Sequence, residues 1–528
     1  MCDPQAVIAT GDGGRGSAQP WWRRFDLLPL AWLLITVVAW GARGFSSGLN
    51  RDAAFYVYAG QQIAAGNAPY EEVMNRAGPY ANLLPALGVE LGRLFGTSDA
   101  MGARLLFFAL VALTPAVTYL TARDMFRSRL AGCAAAATLL GFLVLAKIAT
   151  IGPESKVAMT AGLSVTLLLL VRRRWLLAGI ATGLVTLTWQ PVFVAIAPAA
   201  AVLLLLSGAR LRDRAISALW YGAGGLATLA VTVAGFALAG ATEAFVEGFW
   251  TANAEHTTQL AAIDRPRKVW EHLQTTFGWG FWLLPGGSLA ALALGITSWR
   301  LRRSAPRQAA DQAMLAVSCL GGLVWTTWFA FDRSPDTLLL LPAAALGVGG
   351  VVGVLAHLVR RAGSPLPRRV LVGAVAAWTV ACAVTAFQQT FSLRSDKLQE
   401  QQASSDAVFD NLPADATVFS VEVTPPLALS ERRSISRFVI FEHGMLGFIE
   451  AETPGGVQGY IDGIIEAAPD VVLIPNDERR NFTKGLLRRY VRVGYGPTWR
   501  VFLREDLDPE TQSRVADALV EVRLPLTS

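Results

Sequence analysis

The hydrophobic positions of this 528-residue chain fall into long blocks that are separated by short, arginine-rich connections. A block of about twenty apolar residues is long enough to cross the hydrocarbon core of a bilayer as one helix. The pattern predicts about eleven such helices, near residues 26–45, 103–122, 130–147, 155–171, 174–189, 191–207, 216–240, 275–297, 311–331, 337–358 and 370–391. The predicted fold class is therefore an α-helical, multi-pass membrane protein.

The composition supports a membrane protein and excludes several other classes. Hydrophobic residues make up 53% of the chain and charged residues only 16%, against roughly 25% charged in an ordinary globular protein. The mean hydropathy is +0.41. Three of the four cysteines lie inside apolar blocks, so no disulfide framework is predicted. An ordinary soluble enzyme, a disordered chain and a disulfide scaffold are excluded.

The net charge of the chain is +6, and its basic and acidic residues lie mostly on opposite sides of the predicted membrane domain. Arginines occupy alternate connections, near residues 23–24, 123–129, 172–174, 210–214, 300–307 and 360–369. The positive-inside rule places these connections in the cytoplasm, which predicts an internal N-terminus and an external C-terminus. The opposite connections hold most of the acidic residues. Because the basic charge orients the helices, we predict no nucleic-acid partner.

Three regions are predicted along the chain. Residues 1–25 read as a disordered cytoplasmic tail, residues 26–394 as the membrane domain and residues 395–528 as an external domain. Short apolar runs in the last region predict strands at 417–423, 438–441, 471–475, 491–495 and 501–503. Two runs with helical periodicity predict helices at 457–467 and 482–489. We therefore expect a small α/β domain, with Glu442 as a feature of its surface.

The external connection 46–102 is much longer than a simple turn, and long loops of this kind are commonly functional. Asn50 is placed to cap a helix whose first turn contains Asp52. Two apolar stripes follow at helical spacing: Phe55, Tyr58, Ala59 and Ile63, and then Leu84, Leu87, Leu91 and Leu94. We expect two helices that lie along the membrane interface.

Motifs in this connection resemble a known family. They are Asp52-x3-Tyr56, Gly66-x3-Tyr70, Gly78-Pro79, Leu84-Pro85 and the run at 94–96. Together they are similar to the first external loop of GT-C glycosyltransferases, which use polyprenyl-phosphate sugars and include protein O-mannosyltransferases and the lipid A aminoarabinose transferase. Residues 119–126 and 178–191 extend the resemblance, which is best over 26–210 and continues loosely to 336–342. Within the family, the chain looks most like prokaryotic dolichyl-phosphate-mannose mannosyltransferases.

The resemblance implies roles for two acidic residues. Asp52 lies at the position of the family's catalytic aspartate, which takes a proton from the acceptor hydroxyl as general base. From the residues alone, Asp52 also reads as a first-turn acid that interacts with the helix dipole. The family often has two adjacent acids here, whereas Arg51 precedes Asp52 in this chain. Glu154 is the second candidate, with an alternative role as the acid at a helix N-terminus.

The resemblance also implies a site for the donor. The residues expected to bind the donor phosphate or sugar are Arg76, Lys156, Arg333, Asp336, Tyr56 and Tyr70. Arg76 stands where many relatives have a lysine before their prolines. No cofactor or metal ion is predicted, although a divalent ion stays open, because the Glu-His pairs at 255–256 and 271–272 match no common metal spacing.

The function implied is that of an inverting glycosyltransferase in the cell membrane. It would move a sugar, mannose by the resemblance, from a polyprenyl-phosphate donor to an external glycan, lipid or protein acceptor. The alternative from another class is a transporter or flippase of lipid-linked glycans. It predicts ionisable residues deep within the membrane helices or paired broken helices at the bilayer centre. A third interpretation makes the external domain a binding module on an anchor, but about eleven helices are far more than an anchor needs.

Overall fold

The computed structural model describes residues 26–254, 265–329, 334–442, 444–477 and 481–523. The helices up to the external domain are α1 (Leu28–Gly41), α2 (Arg51–Ala64), α3 (Pro79–Leu94), α4 (Asp99–Ala112), α5 (Thr114–Phe126), α6 (Arg129–Leu140), α7 (Leu143–Ile148), α8 (Ser155–Val171), α9 (Trp175–Thr186), α10 (Val192–Leu206), α11 (Leu211–Leu238), α12 (Thr242–Val246), α13 (Ala252–Ala254), α14 (Arg265–Phe277), α15 (Leu283–Leu301), α16 (Pro306–Val324), α17 (Leu341–Ala362) and α18 (Pro365–Phe391). π-Helical turns at Glu247–Thr251 and Trp325–Phe329 and 3-10 turns at Gly278–Trp282 and Ser334–Leu340 join some of them.

The multi-pass helical fold is confirmed, and every predicted apolar block contains a helix. Within the described ranges, five helical stretches are long and apolar enough to cross a membrane, namely Asp99–Phe126, Leu211–Leu238, Gly280–Arg300, Asp336–Ala362 and Pro365–Phe391. Other apolar helices are shorter, such as α1 and α8. The number of spans and their orientation stay predictions.

Glycines allow the membrane helices to approach closely. A Cβ atom added at Gly347 of α17 would lie 2.1 Å from the carbonyl oxygen of Gly287 in α15. A Cβ atom at Gly349 would lie 2.7 Å from the carbonyl oxygen of Ala131 in α6. The glycines at 347–353 therefore serve helix packing.

Basic side chains satisfy main-chain carbonyls at one end of the membrane domain. Arg104 is fully buried, and its guanidinium donates to the carbonyls of Phe45 and Ser47 in the connection after α1. Arg43 donates to the carbonyl of Lys147 at the end of α7, and Lys147 Nζ donates to the carbonyl of Thr276 in α14 at 2.9 Å. Hydrogen bonds from cations thus link the ends of α1, α4, α7 and α14.

The C-terminal region is a small α/β unit, as predicted. Its elements are α19 (Lys397–Phe409), β1 (Val418–Ser420), α20 (Pro425–Ser430), α21 (Met445–Glu452), α22 (Gly456–Ala467), β2 (Val471–Pro475), α23 (Asn481–Leu486), a 3-10 turn (Leu487–Arg489), β3 (Tyr490–Tyr495), β4 (Trp499–Arg504) and α24 (Pro509–Arg523). The sheet order is β1-β2-β4-β3, with β1 and β2 parallel and the other pairs antiparallel. The boundary at 394/395 stays a prediction.

The predicted strand at 438–441 is wrong. This segment is not part of a strand in the structure. Its main chain bonds instead to Glu422 and Ser436, which lie outside the sheet. The Phe441 N–H donates to Glu422 Oε1 at 2.7 Å, the Glu422 N–H donates to the Val439 carbonyl at 2.8 Å, and the Phe438 N–H donates to Ser436 Oγ at 3.0 Å. Phe438, Val439 and Phe441 are buried all the same, which is why the sequence pattern resembles that of a strand.

The two helices of the external connection are confirmed, but the apolar stripe of α2 does not lie on the membrane. Phe55, Tyr58 and Ala59 are buried in one apolar core with C-terminal residues that include Leu473 and Trp499. The C-terminal unit therefore covers this helix, and the interfacial interpretation of α2 is wrong. On α3, by contrast, Leu87 and Leu94 are exposed.

Replacement of Gly287 by alanine tests the close packing of α15 against α17. The added Cβ atom would lie 2.4 Å from the Ala344 carbonyl oxygen, so we expect a loss of about 1–3 kcal/mol in the free energy of unfolding. Gly286→Ala is the matched control, because nothing lies within 4 Å of its added Cβ atom. It should be neutral or stabilise by up to about 1 kcal/mol, since alanine favours helix. Thermal unfolding in detergent measures both, and equal behaviour of the two variants would contradict the packing.

Candidate active site

The candidate general base lies at the N-terminus of α2. Asn50 caps this helix through a hydrogen bond from the Ala53 N–H to Asn50 Oδ1 at 2.7 Å, as the sequence predicts. The cap places Asp52 in the first turn, where the helix dipole favours a negative charge. The Asp52 side chain is 44% exposed and its carboxylate lies 3.2 Å from Arg51 Nε. The carboxylate is therefore held by one neighbour and still open to a substrate.

The turn at 152–154 brings Glu154 beside this carboxylate. Gly152 has a φ of +149°, and a Cβ atom added there would lie 3.0 Å from the Ala53 Cβ atom. A side chain at 152 would thus press on the first turn of α2. Burial and then the negative charge of Asp52 raise the pKa of Glu154 to about 7. The two predicted catalytic residues are therefore close enough for the charge of Asp52 to act on the ionisation of Glu154.

Lys156 and Asp336 form an ion pair in the same place. Lys156 Nζ lies 2.7 Å from Asp336 Oδ1, and the Asp336 side chain is only 8% exposed. The ammonium group also lies 5.8 Å from the centre of the Trp189 ring, within the range of a cation–π interaction. Lys156 is thus fixed by a carboxylate and a ring rather than extended into solvent.

Of the two tyrosines, Tyr56 belongs to this cluster. It follows Asp52 by one turn on α2, and burial raises the pKa of its hydroxyl above the ordinary value, as does the negative charge of Glu154. Its hydroxyl therefore keeps its proton and is suited to donate a hydrogen bond. Its position beside Glu154 is compatible with the predicted role of Tyr56 in binding the donor.

Tyr70 has a different setting. It is fully buried, its hydroxyl donates to the Ala77 carbonyl at 2.7 Å, and its ring stacks on Phe236 with centres 6.0 Å apart. The side chain therefore fixes the segment that carries Arg76. Direct contact with the donor stays a prediction for Tyr70, and its burial disfavours such contact.

The segment around Arg76 docks on the turn between α9 and α10. The Arg76 carbonyl accepts hydrogen bonds from Asn253 Nδ2 at 2.9 Å and from Gln190 Nε2 at 3.3 Å. A Cβ atom added at Gly78 would lie 2.0 Å from the Leu187 carbonyl oxygen, so only glycine fits. Two motifs that the sequence presents separately, at 76–80 and 189–191, are therefore one structural unit, next to Trp189.

Some predicted residues cannot be placed. Arg333 lies outside the described residues, as do Glu255, His256 and Asp332. Within the described ranges, no three His, Cys, Asp or Glu side chains come together as a metal site requires. The cofactor prediction is untested and stays a prediction.

The structure adds two acidic residues that the sequence analysis missed. Arg51 Nη1 lies 2.8 Å from Glu422 Oε2 and 2.7 Å from Glu442 Oε2, both in the C-terminal unit. The Thr424 hydroxyl donates to the Arg51 carbonyl at 2.6 Å. The Glu442 side chain is 33% exposed, and its carboxylate binds Arg51, a contact that the expectation of a surface feature did not include. One feature of the sequence indicated this network, because Arg51 stands where the family often has an acid.

Among the comparisons with known proteins, those with solved structures identify the fold. No protein-family model and no curated protein matches the sequence. Among solved structures, ArnT from Cupriavidus metallidurans bound to undecaprenyl phosphate is 13% identical, with a TM-score of 0.58 over 90% of this chain and 97% of that chain. Its apo structure gives a TM-score of 0.58 at 14% identity over the same shares. The apo oligosaccharyltransferase from Archaeoglobus fulgidus is 14% identical, with a TM-score of 0.51 over 86% of this chain and 70% of that chain.

These neighbours are GT-C glycosyltransferases that depend on polyprenyl phosphates. The likeness extends through the membrane helices and the C-terminal unit, since it covers 90% of the chain. It confirms, for the fold, the resemblance that the motifs of the first external connection indicated. The chain thus has the GT-C fold.

Proposed function

We propose that this protein is a membrane glycosyltransferase that moves a sugar from a polyprenyl-phosphate donor to an acceptor hydroxyl. The observation that carries the proposal is the convergence of Asp52, Glu154, Lys156 and Asp336 at one end of the membrane helices. A partly exposed carboxylate beside a fixed cation suits a reaction that needs both a base and a counterion for phosphate. The fold supports the proposal, because a neighbour of the same fold was solved with undecaprenyl phosphate bound.

The proposed reaction is a single displacement with inversion. The acceptor oxygen forms a bond to the anomeric carbon while its proton passes to the Asp52 carboxylate. The bond between the anomeric carbon and the phosphate oxygen breaks, and its electron pair leaves with the polyprenyl phosphate. The base and the leaving group must therefore lie on opposite faces of the sugar.

Cations stabilise the leaving phosphate in this proposal. Lys156 supplies a compact charge that is held in place by Asp336 at 2.7 Å. Arg76 lies in the segment that docks beside Trp189, whose ring is near Lys156. Tyr56 adds a neutral hydroxyl donor, since its pKa is raised. Arg333 completes the proposed donor site from a part of the chain outside the described residues.

Mannose as the sugar follows from the motifs that resemble mannosyltransferases. The acceptor is proposed to be an external glycan, lipid or protein, and the site is proposed to face the extracytoplasmic side of the cell membrane. The distribution of charge among the connections supports this placement, because the arginine-rich connections lie at the helix ends opposite the candidate active site.

A transporter is less well supported by the positions of charged residues. In the described membrane helices, the Asp, Glu, Lys and Arg side chains all lie within about two turns of a helix end. Transport of an ion or polar substrate through the membrane commonly uses ionisable groups near the bilayer centre. Chemistry at a membrane surface fits the observed distribution better.

The Asp52→Asn variant tests the proposed base. Asparagine keeps the size of the side chain but cannot take the acceptor proton, so we expect kcat to fall by about 10²–10⁴-fold. Sugar transfer from a polyprenyl-phosphate-mannose donor, measured in proteoliposomes, provides the readout. Glu90→Gln on α3 is the control, because that side chain is exposed, and its activity should be unchanged. Full activity of a folded Asp52→Asn enzyme would exclude Asp52 as the base.

The pH dependence of donor binding tests Glu154. With a pKa of about 7, raised from 4.5, Glu154 is mostly neutral below pH 7 and gains a negative charge as the pH rises through 7. That charge would repel the donor phosphate, so we expect the KM for the donor to rise between about pH 6 and pH 8. Glu154→Gln should show a flat profile over this range. An identical rise in this variant would assign the titration to another group.

The Glu442→Gln variant tests the coupling of the C-terminal unit to Asp52. Arg51 is shared among Asp52, Glu422 and Glu442, so removal of one carboxylate leaves Arg51 more strongly attracted to Asp52. Its carboxylate is then less free to take the acceptor proton, and we expect a decrease in kcat of about tenfold or less.

Glu452→Gln serves as the matched control for this measurement, because Glu452 is an exposed acid of the same C-terminal unit. Its kcat should stay as in the unmodified enzyme. If Glu442→Gln also leaves kcat unchanged, the contact between Arg51 and Glu442 has no effect on the base.

A further inference from the structure

A second charged cleft lies at the other end of α8 from Glu154. Its volume is about 370 Å³, and it is formed by the C-terminal ends of α5 and α8 and the N-terminal end of α16. The charged side chains that line it are Arg123, Arg127, Arg172, Arg307, Asp124 and Asp311. The 17 residues of α8 separate this cleft from the candidate active site, which corresponds to about 25 Å at the rise of an α-helix.

The arginines of the cleft outnumber the acids available to them. Asp124 is shared by Arg123 at 2.7 Å and Arg172 at 2.9 Å, and Arg123 also pairs with Asp26 at 2.7 Å. Asp311 pairs with Arg173 at 2.7 Å. Among the residues that the structure describes, Arg127 and Arg307 have no carboxylate within salt-bridge distance. The cleft therefore carries positive charge that the described part of the protein does not neutralise.

The backbone at Arg127 gives a second indication. Arg127 ends α5 in the left-handed region, with a φ of +50°. Glycine is the usual residue in this conformation, because the Cβ atom of any other residue is strained there. An arginine at this position lowers the stability of the fold but places a guanidinium group in the lining of the cleft. Strain of this kind is often found at binding sites.

We propose that this cleft binds the phosphate group of an anionic phospholipid in the leaflet opposite the candidate active site. Guanidinium groups match the geometry of phosphate oxygens, and Arg127 and Arg307 are available for them. Met125 and Val171 add an apolar wall, which suits a headgroup that continues into acyl chains. Basic clefts between membrane helices are known to hold lipid headgroups. That this lipid is a molecule other than the sugar donor rests on the proposed function.

The polyprenyl-phosphate donor is not the ligand of this cleft. Its phosphate has to reach the group around Lys156, at the opposite end of α8, and one phosphate cannot occupy both places. The ligand is therefore a separate molecule, and its binding would hold the ends of α5, α8 and α16 together. A free phosphate ion shares the same chemistry, so the experiment must separate the two sources.

The experiment uses the full-length protein in detergent after removal of native lipid. Binding of dioleoylphosphatidylglycerol, dioleoylphosphatidylcholine and inorganic phosphate is followed by native mass spectrometry and by thermal unfolding. For the unmodified protein, we expect one phosphatidylglycerol to bind with an apparent Kd at least about tenfold lower than that of phosphatidylcholine. Equal affinity for the two lipids, or full competition by millimolar phosphate, would overturn the proposal.

Variants locate the site. Arg127→Gln/Arg307→Gln should raise the apparent Kd for phosphatidylglycerol by about tenfold or more. Arg127→Lys/Arg307→Lys should restore part of the affinity, because lysine keeps the positive charge but lacks the guanidinium fork. The matched control is Arg368→Gln/Arg369→Gln, which removes the same charge from exposed positions at the start of α18. An equal loss in this control would show diffuse attraction to the arginine-rich rim and would overturn the proposal. The lysine variant keeps the test valid if the glutamine variant does not fold.

Discussion

Main-chain carbonyls at the ends of membrane helices need hydrogen-bond donors, and the hydrocarbon region of a bilayer supplies none. This chain meets the requirement with basic side chains. Fully buried Arg104 donates to the Phe45 and Ser47 carbonyls, just before the cap residue of α2. The position of α2 therefore depends on a cation in α4, and with it the position of Asp52.

The candidate active site is assembled from connections that meet at one end of the helices. The first turn of α2 supplies Asp52, the start of α8 supplies Glu154 and Lys156, and the turn before α17 supplies Asp336. No single connection contains a complete site, so the geometry depends on helix packing. The close contact of Gly152 with Ala53 sets the approach of two of these connections.

Much of this arrangement could be predicted from the sequence. Apolar blocks locate the membrane helices because length and hydropathy are local properties, and the Asn50 cap is equally local. Periodicity also predicts that α2 has an apolar face, but it cannot tell whether lipid or protein covers that face. The same limit applies to the segment at 438–441, where burial without pairing imitates a strand.

Contacts between distant charges were beyond prediction for a related reason. Glu422 and Glu442 reach Arg51 only because the C-terminal unit folds over α2, and a single sequence carries no mark of such a pairing. Even Glu154, which sequence analysis selected, could not be assigned its raised pKa, since that pKa depends on burial and on the charge of Asp52.

The shared core of α2 and the C-terminal unit has a consequence for biosynthesis. The helix that carries Asp52 leaves the ribosome early, but the C-terminal residues that share its apolar core, such as Leu427 and Ala428 of α20, are made much later. The protein therefore completes its candidate active site only after all of its membrane helices have been synthesised. A nascent chain that has just inserted its last membrane helix does not yet have the complete site.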